Sequence, residues 1–267
     1  MSDTVKLSGM SFFKSWSCCV PGFENALARL RGGKLMEDAA HKHIYEASGK
    51  YVWRCQDDGF DFAYKTQDGK KPWRYMFRAS LPVREVKHYA ILAALGIPIP
   101  DVYAVGDTRK FFILKESFLV TGFLENTVDG RIFMRGGEFR DGREELKREF
   151  CCRHLTLLAK LHDAGYYHKA SHPRNFLFRG ETPEEMEVFW IDVARLRRAR
   201  DIRRAVVVDL HTFFRDMCLK KADLLRLLEF YCSNVENKIF SRDEIFDQLV
   251  NFKRRMFSKK KYRLFEE

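Results

Sequence analysis

The sequence predicts an α+β fold in two parts, a small antiparallel sheet carrying one helix and a larger, mainly helical half. Two observations lead there. Between His41 and Gln67, runs rich in β-branched and aromatic residues alternate with Gly-containing turns. From Arg143 onward, apolar residues instead recur at intervals of three and four. With 267 residues, 46% of them hydrophobic and 14% aromatic, the chain can bury a substantial core.

Residues 1–40 read as an N-terminal extension. An irregular start precedes PGFENALARLRGG, whose helical spacing stops at Gly32-Gly33. The first lobe, residues 41–126, opens with HKHIYEA, YVWRCQ and FDFAYKTQ, a meander turning at Ser48-Gly49-Lys50 and Asp57-Asp58-Gly59. The basic connection GKKPWRYMFRASLP leads to a helix over VREVKHYAILAALG. Its apolar face is Val83, Val86, Tyr89 or Ala90, and Ala93, and Gly96 can cap its end. KFFILKE and SFLVTGFLE are expected as two more strands, five in all. The second lobe, residues 127–267, begins with a helix over REELKREFCCRHLTLLAKLHDAG, where Phe150, His154, Leu157 or Leu158, and Leu161 share a face. NFLFRG and EVFWID are expected to pair as a hairpin beside a site. Helices over VVVDLHTFFRDMC, KADLLRLLEFYCSN and SRDEIFDQLVNFKRRMF follow.

No run reaches the roughly 18 apolar residues of a membrane span, and MSDTVKLSGM lacks a signal peptide's apolar block, so a cytoplasmic protein is expected. The seven cysteines form no CxxC pair and read as reduced thiols. Lys plus Arg exceed Asp plus Glu by 48 to 37, a net charge of +11. Nucleic acid, an acidic membrane face, a phosphorylated lipid or sugar, or a merely solvated basic surface would each suit that charge. No helix-turn-helix, zinc-finger, RRM or KH pattern is present, so nucleic acid is not the expected partner.

Phosphoryl transfer needs a cation on the nucleotide phosphates, a carboxylate steadying it, metal ligands, and a group orienting the acceptor hydroxyl. Lys65 lies in the third strand and Glu85 early in the next helix, where an ion pair could aim the ammonium. Asn175 follows a strongly helical stretch, and Asp192 closes the apolar run VFWI, where burying an acid is costly unless a metal compensates. An amide oxygen and a carboxylate joined by the hairpin suit Mg²⁺. Taken singly, each residue has a plainer reading: a solvated strand lysine, a surface helix acid, a turn asparagine, an acid capping a strand. Their order favours function.

The series AYK, VREV, LHDAGYYHKASHPRNFLF, WIDVARLR and VVDLHTFF resembles the bacterial lipopolysaccharide core (heptose/Kdo) kinase family, a divergent protein-kinase-like fold, over about Tyr45 to Cys232. The resemblance implies a bilobal protein-kinase-like fold and ATP and Mg²⁺ as cofactors. It implies Lys65 as the strand lysine, Glu85 as its partner, His168 as first residue of a His-x-Asp loop, Asn175 and Asp192 as metal ligands, and Asp209 as the acid bracing that loop. His168 on its own reads as a structural histidine bonding the loop backbone. The aspartate of that pattern, two residues after the histidine and five before the asparagine, is here Ala170. An engineered Asp-to-Ala change, a natural pseudokinase, or an enzyme in which His172 acts instead would each account for it. The phosphate loop reduces to Gly49, short of a GxGxxG pattern.

His154 and His162 read as core residues of the long helix, and Asp163 is expected to face away from the loop. RLRRARDIRR follows Asp192, where a phosphorylated acceptor would arrive. In FKRRMFSKKKYR, aromatics interleave with cations as suits an anionic leaflet. The expected partners are therefore a lipopolysaccharide core sugar or other phosphorylated glycolipid and the anionic inner-membrane surface, with the protein peripheral to it. A pseudokinase, or a relative of the aminoglycoside or choline kinases, is the alternative.

Overall fold

The computed structural model describes residues 5, 7, 10, 11, 13–32, 41–47, 50–68, 72–134, 143–215, 217, 219–238, 240–256 and 265–266. Gly49, Lys259, Lys260, Lys261 and Tyr262 lie outside them, so the phosphate-loop reading and the heart of the C-terminal basic stretch do too. The chain divides into two compact units, residues 1–91 with 100–125, and residues 92–99 with 126–267.

The first unit is a six-stranded antiparallel sheet. In chain order it contains β1 (Trp16–Cys19), α1 (Glu24–Arg31), β2 (His41–Ala47), β3 (Lys50–Asp57), β4 (Phe60–Asp68), α2 (Leu81–Ala94), β5 (Val102–Lys110) and β6 (Ile113–Gly122). The sheet order is β1-β5-β6-β4-β3-β2. The meander β2-β3-β4 is where the sequence places it. Two expectations need correcting. The N-terminal segment is no separate preface: Trp16 to Cys19 pair with Asp107 to Ala104 along the sheet edge. Phe23, fully buried, packs edge-on against Phe60 and Phe62. KFFILKE and SFLVTGFLE, moreover, are not two strands. Residues 113–122 form one strand, its partner is VYAVGDTRK, and Phe111-Phe112 is the tip between them. A hydrophobicity pattern reads an aromatic pair as strand interior, whereas here it sits at a turn.

In α2 the buried stripe is Val83, Val86, Tyr89 and Leu92, with Ala90 and Ala93 exposed. The helix ends in a Schellman motif. The Ile97 N–H donates to the Leu92 carbonyl at 2.9 Å and the Gly96 N–H to Ala93 at 3.0 Å. Gly96 has φ +65, which glycine adopts without the clash a Cβ would bring.

The second unit contains β7 (Val128–Asp129), α3 (Gly130–Met134), α4 (Glu144–Asp163), β8 (Tyr166–Tyr167), β9 (Phe176–Arg179), β10 (Glu187–Trp190), β11 (Arg197–Arg198), α5 (Ile202–Phe214), β12 (Leu219–Lys220), α6 (Lys221–Asn234), α7 (Arg242–Met256) and β13 (Phe265–Glu266). Helix α4 is the spine. Phe150, His154, Leu155, Leu158 and Leu161 are all buried along it, and Phe176, Trp190 and Phe213 close around the His154 ring at centroid distances of 3.9 to 5.4 Å. The expected hairpin forms, with Phe176 opposite Trp190 and Arg179 opposite Glu187.

Candidate active site

In the first unit, Lys65 and Glu85 meet. Lys65 lies mid-sheet, opposite Val52 on β3 and Leu119 on β6, so its backbone is fixed from both sides. Glu85, one turn into α2 and 5% exposed, takes the Lys65 ammonium at 2.9 Å. The Tyr89 hydroxyl, one helical turn later, donates to the same Oε1 at 2.8 Å. Burial pushes the Glu85 carboxyl up, and the Lys65 charge with the Lys65 and Tyr89 hydrogen bonds outweighs it, leaving the group below its ordinary value. A depressed folded value makes the stabilising share of the pair complete above the ordinary carboxylate range. It is lost as pH falls through the folded value.

In the second unit, the segment from His168 to Asn175 is held from beneath by Asp209 on α5. The His168 N–H donates to Asp209 Oδ2 at 2.5 Å and the Lys169 N–H to Oδ1 at 2.7 Å. His162 Nε2 lies 3.3 Å from Oδ2, while His162 Nδ1 is 2.7 Å from the Tyr231 hydroxyl. With Nε2–H donating to the carboxylate, Nδ1 accepts from tyrosine. Asp209, His162, His168 and Tyr231 are buried, so the carboxylate is satisfied mainly by aimed donors rather than by water. Lys169 is left with φ +62, a conformation that costs a non-glycine residue about 1 kcal/mol or more and tends to mark functional segments.

Ala170 sits where the loop pattern expects aspartate, and it is 5% exposed. Its N–H donates to His168 Nδ1 at 3.3 Å, so the enclosed His168 ring bonds loop backbone. The Ala170 carbonyl accepts from the His172 N–H and from the Asn175 amide, both at 2.7 Å. The neighbouring His172 ring is half-buried, with an Arg215 nitrogen 3.4 Å from each of its ring nitrogens. Gly130 lets α3 press on this loop, because a Cβ there would lie 2.6 Å from the Pro173 carbonyl.

The hairpin brings Asn175 and Asp192 to neighbouring positions, since the Ile191 N–H donates to the Asn175 carbonyl at 2.9 Å, one step beyond the last ladder pair. Asn175 is 5% exposed and its NH₂ is committed to Ala170, so Oδ1 is the atom left for a metal. Asp192 is exposed, so the argument that its burial demands a metal does not hold. Its φ of +53 is the strained feature instead. One amide oxygen and one carboxylate fit Mg²⁺, which takes few protein ligands and completes its octahedron with water and phosphate. No cluster of three His, Cys, Asp or Glu suited to a metal occurs among the described residues.

Among other candidates, Asp163 is engaged elsewhere, accepting the Glu236 and Asn237 N–H groups at 3.0 and 3.1 Å. His154 Nε2 meets the Ser171 hydroxyl at 3.1 Å, and burial, reinforced by His168 and His162, holds its pKa well below the ordinary histidine value. It is therefore a neutral core ring. Sequence reading missed Tyr89 and Arg215. The four-residue spacing from Glu85 could have revealed the first, whereas the approach of Arg215 to His172 arises only from the tertiary fold.

A model of the lipopolysaccharide kinase (Kdo/WaaP) family matches residues 65–231. The lipopolysaccharide core heptose(I) kinase WaaP of Pseudomonas aeruginosa is 27% identical over 240 residues, covering 83% of this chain and 89% of that protein. The solved structure of WaaP in complex with acyl carrier protein superposes with a TM-score of 0.64 at 20% identity, covering 90% of this chain and 97% of that one. The PknI kinase domain of Mycobacterium tuberculosis gives a TM-score of 0.48 at 14% identity, over 80% of this chain and 96% of that domain. The fold is α+β and shared with the solved WaaP structure.

Proposed function

From the premise that the chain belongs to the lipopolysaccharide kinase (Kdo/WaaP) family, we propose ATP-dependent phosphoryl transfer to a sugar of the lipopolysaccharide inner core, heptose or Kdo. The Lys65–Glu85 ion pair at 2.9 Å carries this reading, because a buried carboxylate gives a strand lysine a fixed aim. Lys65 holds the nucleotide phosphates. Asn175 Oδ1 and the Asp192 carboxylate hold Mg²⁺, and bound Mg²⁺-ATP supplies the phosphoryl group with its charge partly neutralised.

The remaining steps fall to the loop and its basic surroundings. Ala170 can neither accept a proton nor orient a hydroxyl. His172, two residues on and bonded through its backbone to Ala170, is the group that takes the acceptor proton. The exposed cations Arg195, Arg197 and Arg198, just past Asp192, receive the phosphates of a charged acceptor. The acceptor belongs to a glycolipid, so the protein works against the anionic cytoplasmic face of the inner membrane. No helix among the described residues is long and apolar enough to cross a membrane. Ala170 also favours a second reading, a pseudokinase that binds nucleotide without chemistry.

Calorimetry of Mg²⁺-ATP binding tests the nucleotide half. Lys65→Ala and Asp192→Ala should each weaken affinity by about tenfold or more, as expected when a charge-assisted contact worth about 1.5 to 3 kcal/mol is removed. Unchanged affinity in both variants removes these residues from the site. Acceptor-dependent turnover by the unmodified chain separates kinase from pseudokinase.

A further inference from the structure

The tip of the β5–β6 hairpin presents aromatic residues where a water-soluble surface has no use for them. Phe111 is 73% exposed and has φ +54 in a two-residue turn closed by Lys110 opposite Ile113. Glycine, asparagine or aspartate normally fills such a position, and the strain of a phenylalanine there is not offset by packing. Phe77, 63% exposed, stacks on Phe112 with centroids 6.1 Å apart, and Trp73 is 69% exposed.

These aromatics stand on a rigid base. The Arg109 side chain is fully buried and ion-paired to Asp107 at 2.8 Å. It donates to the Tyr75, Phe112 and Arg78 carbonyls at 2.9, 3.3 and 3.4 Å, clamping the Trp73–Arg78 segment to the hairpin tip. Charge then selects the partner. Residues 72–80 and 108–115 contain five Lys or Arg and no Asp or Glu, and Arg78, Lys110 and Lys115 are exposed. A second copy of this +11 chain would meet like charge. Anionic lipid headgroups above an apolar interior match both the cations and the aromatics, and Trp and Phe partition into that boundary.

We propose that this hairpin tip and the Trp73–Arg78 segment form a membrane-docking surface, with Phe111 entering the interface of an anionic bilayer and Arg78 and Lys110 engaging its headgroups. Its residues are not those of the C-terminal basic stretch. It requires neither nucleotide nor turnover, so its test is independent of the kinase reading.

The full chain, without nucleotide, is sedimented with phosphatidylglycerol-containing vesicles and with purely zwitterionic ones. Phe111→Asn should lower binding to anionic vesicles by about tenfold, as expected for losing one interfacial aromatic side chain. Asparagine accepts the left-handed conformation, so the melting midpoint should hold or rise, which a packing role for Phe111 would not allow. Lys110→Glu and Arg78→Glu should each lower binding by at least about fivefold at low salt, with the difference shrinking as salt screens it. The proposal is overturned by equal binding of the parent and Phe111→Asn. It also fails if neutralising Lys259, Lys260 and Lys261 alone abolishes binding, or if a dimer in light scattering dissolves on Phe111→Asn while no vesicle binding occurs.

Discussion

Ala170→Asp should raise phosphoryl transfer to an inner-core sugar by about 10² to 10⁴, roughly 3 to 5 kcal/mol of barrier, if Ala170 replaces an aspartate base, while nucleotide affinity stays nearly constant. The carboxylate would enter a loop whose backbone is already set, with the Ala170 carbonyl holding His172 and Asn175 and its N–H on His168. The one change is a carboxylate at the position the loop pattern gives to aspartate. An acceptor-dependent assay of the parent, Ala170→Asp and His172→Ala distinguishes the cases. With His172 as the base, the parent already turns over and His172→Ala loses about 10² to 10⁴. Silence in all three, with nucleotide bound and authentic acceptor supplied, leaves a pseudokinase and defeats the proposed function.

Asp209→Ala should destabilise the helical unit by about 3 to 5 kcal/mol, because it orphans the buried N–H of His168 and Nε2–H of His162 together with the part-buried N–H of Lys169. Thermal melting should fall by about 10 °C, a few degrees per kcal/mol for a domain of this size. Tyr231→Phe removes only the outer member of the chain and should cost about 1 kcal/mol, since His162 keeps its bond to the carboxylate. A melting midpoint for Asp209→Ala within a degree or two of the parent would show that the loop does not hang on this carboxylate.

The elements that carry the candidate residues were legible in the sequence because their patterns are local. Lys65 in a strand, Glu85 one turn into a helix, and Asn175 and Asp192 flanking a short hairpin all follow from period-2 and period-3.6 patterns with turn residues between them. The family pattern that the sequence resembles, counted along one loop, puts Ala170 at the position of its aspartate. The phosphate-loop reading at Gly49 falls outside the described residues and was too short a pattern to rest on. The expected burial of Asp192 failed because an apolar run says that its own side chains are covered, not that the next residue is.

What the sequence by itself determined was the β2-β3-β4 meander and the main helices, the α+β division and the identity of the residues that bear charge. Local periodicity and steric limits act on neighbours, so the sequence displays them directly. Tertiary structure alone decided which distant groups meet. Asp209 reaches the loop N–H groups from 41 and 40 residues away, and β1 pairs with β5 with Trp16 opposite Asp107. Arg109 clamps Tyr75, Arg78 and Phe112 into one surface. Such contacts are selected by the need to satisfy buried polar groups and cover sheet edges, which only the packed chain imposes.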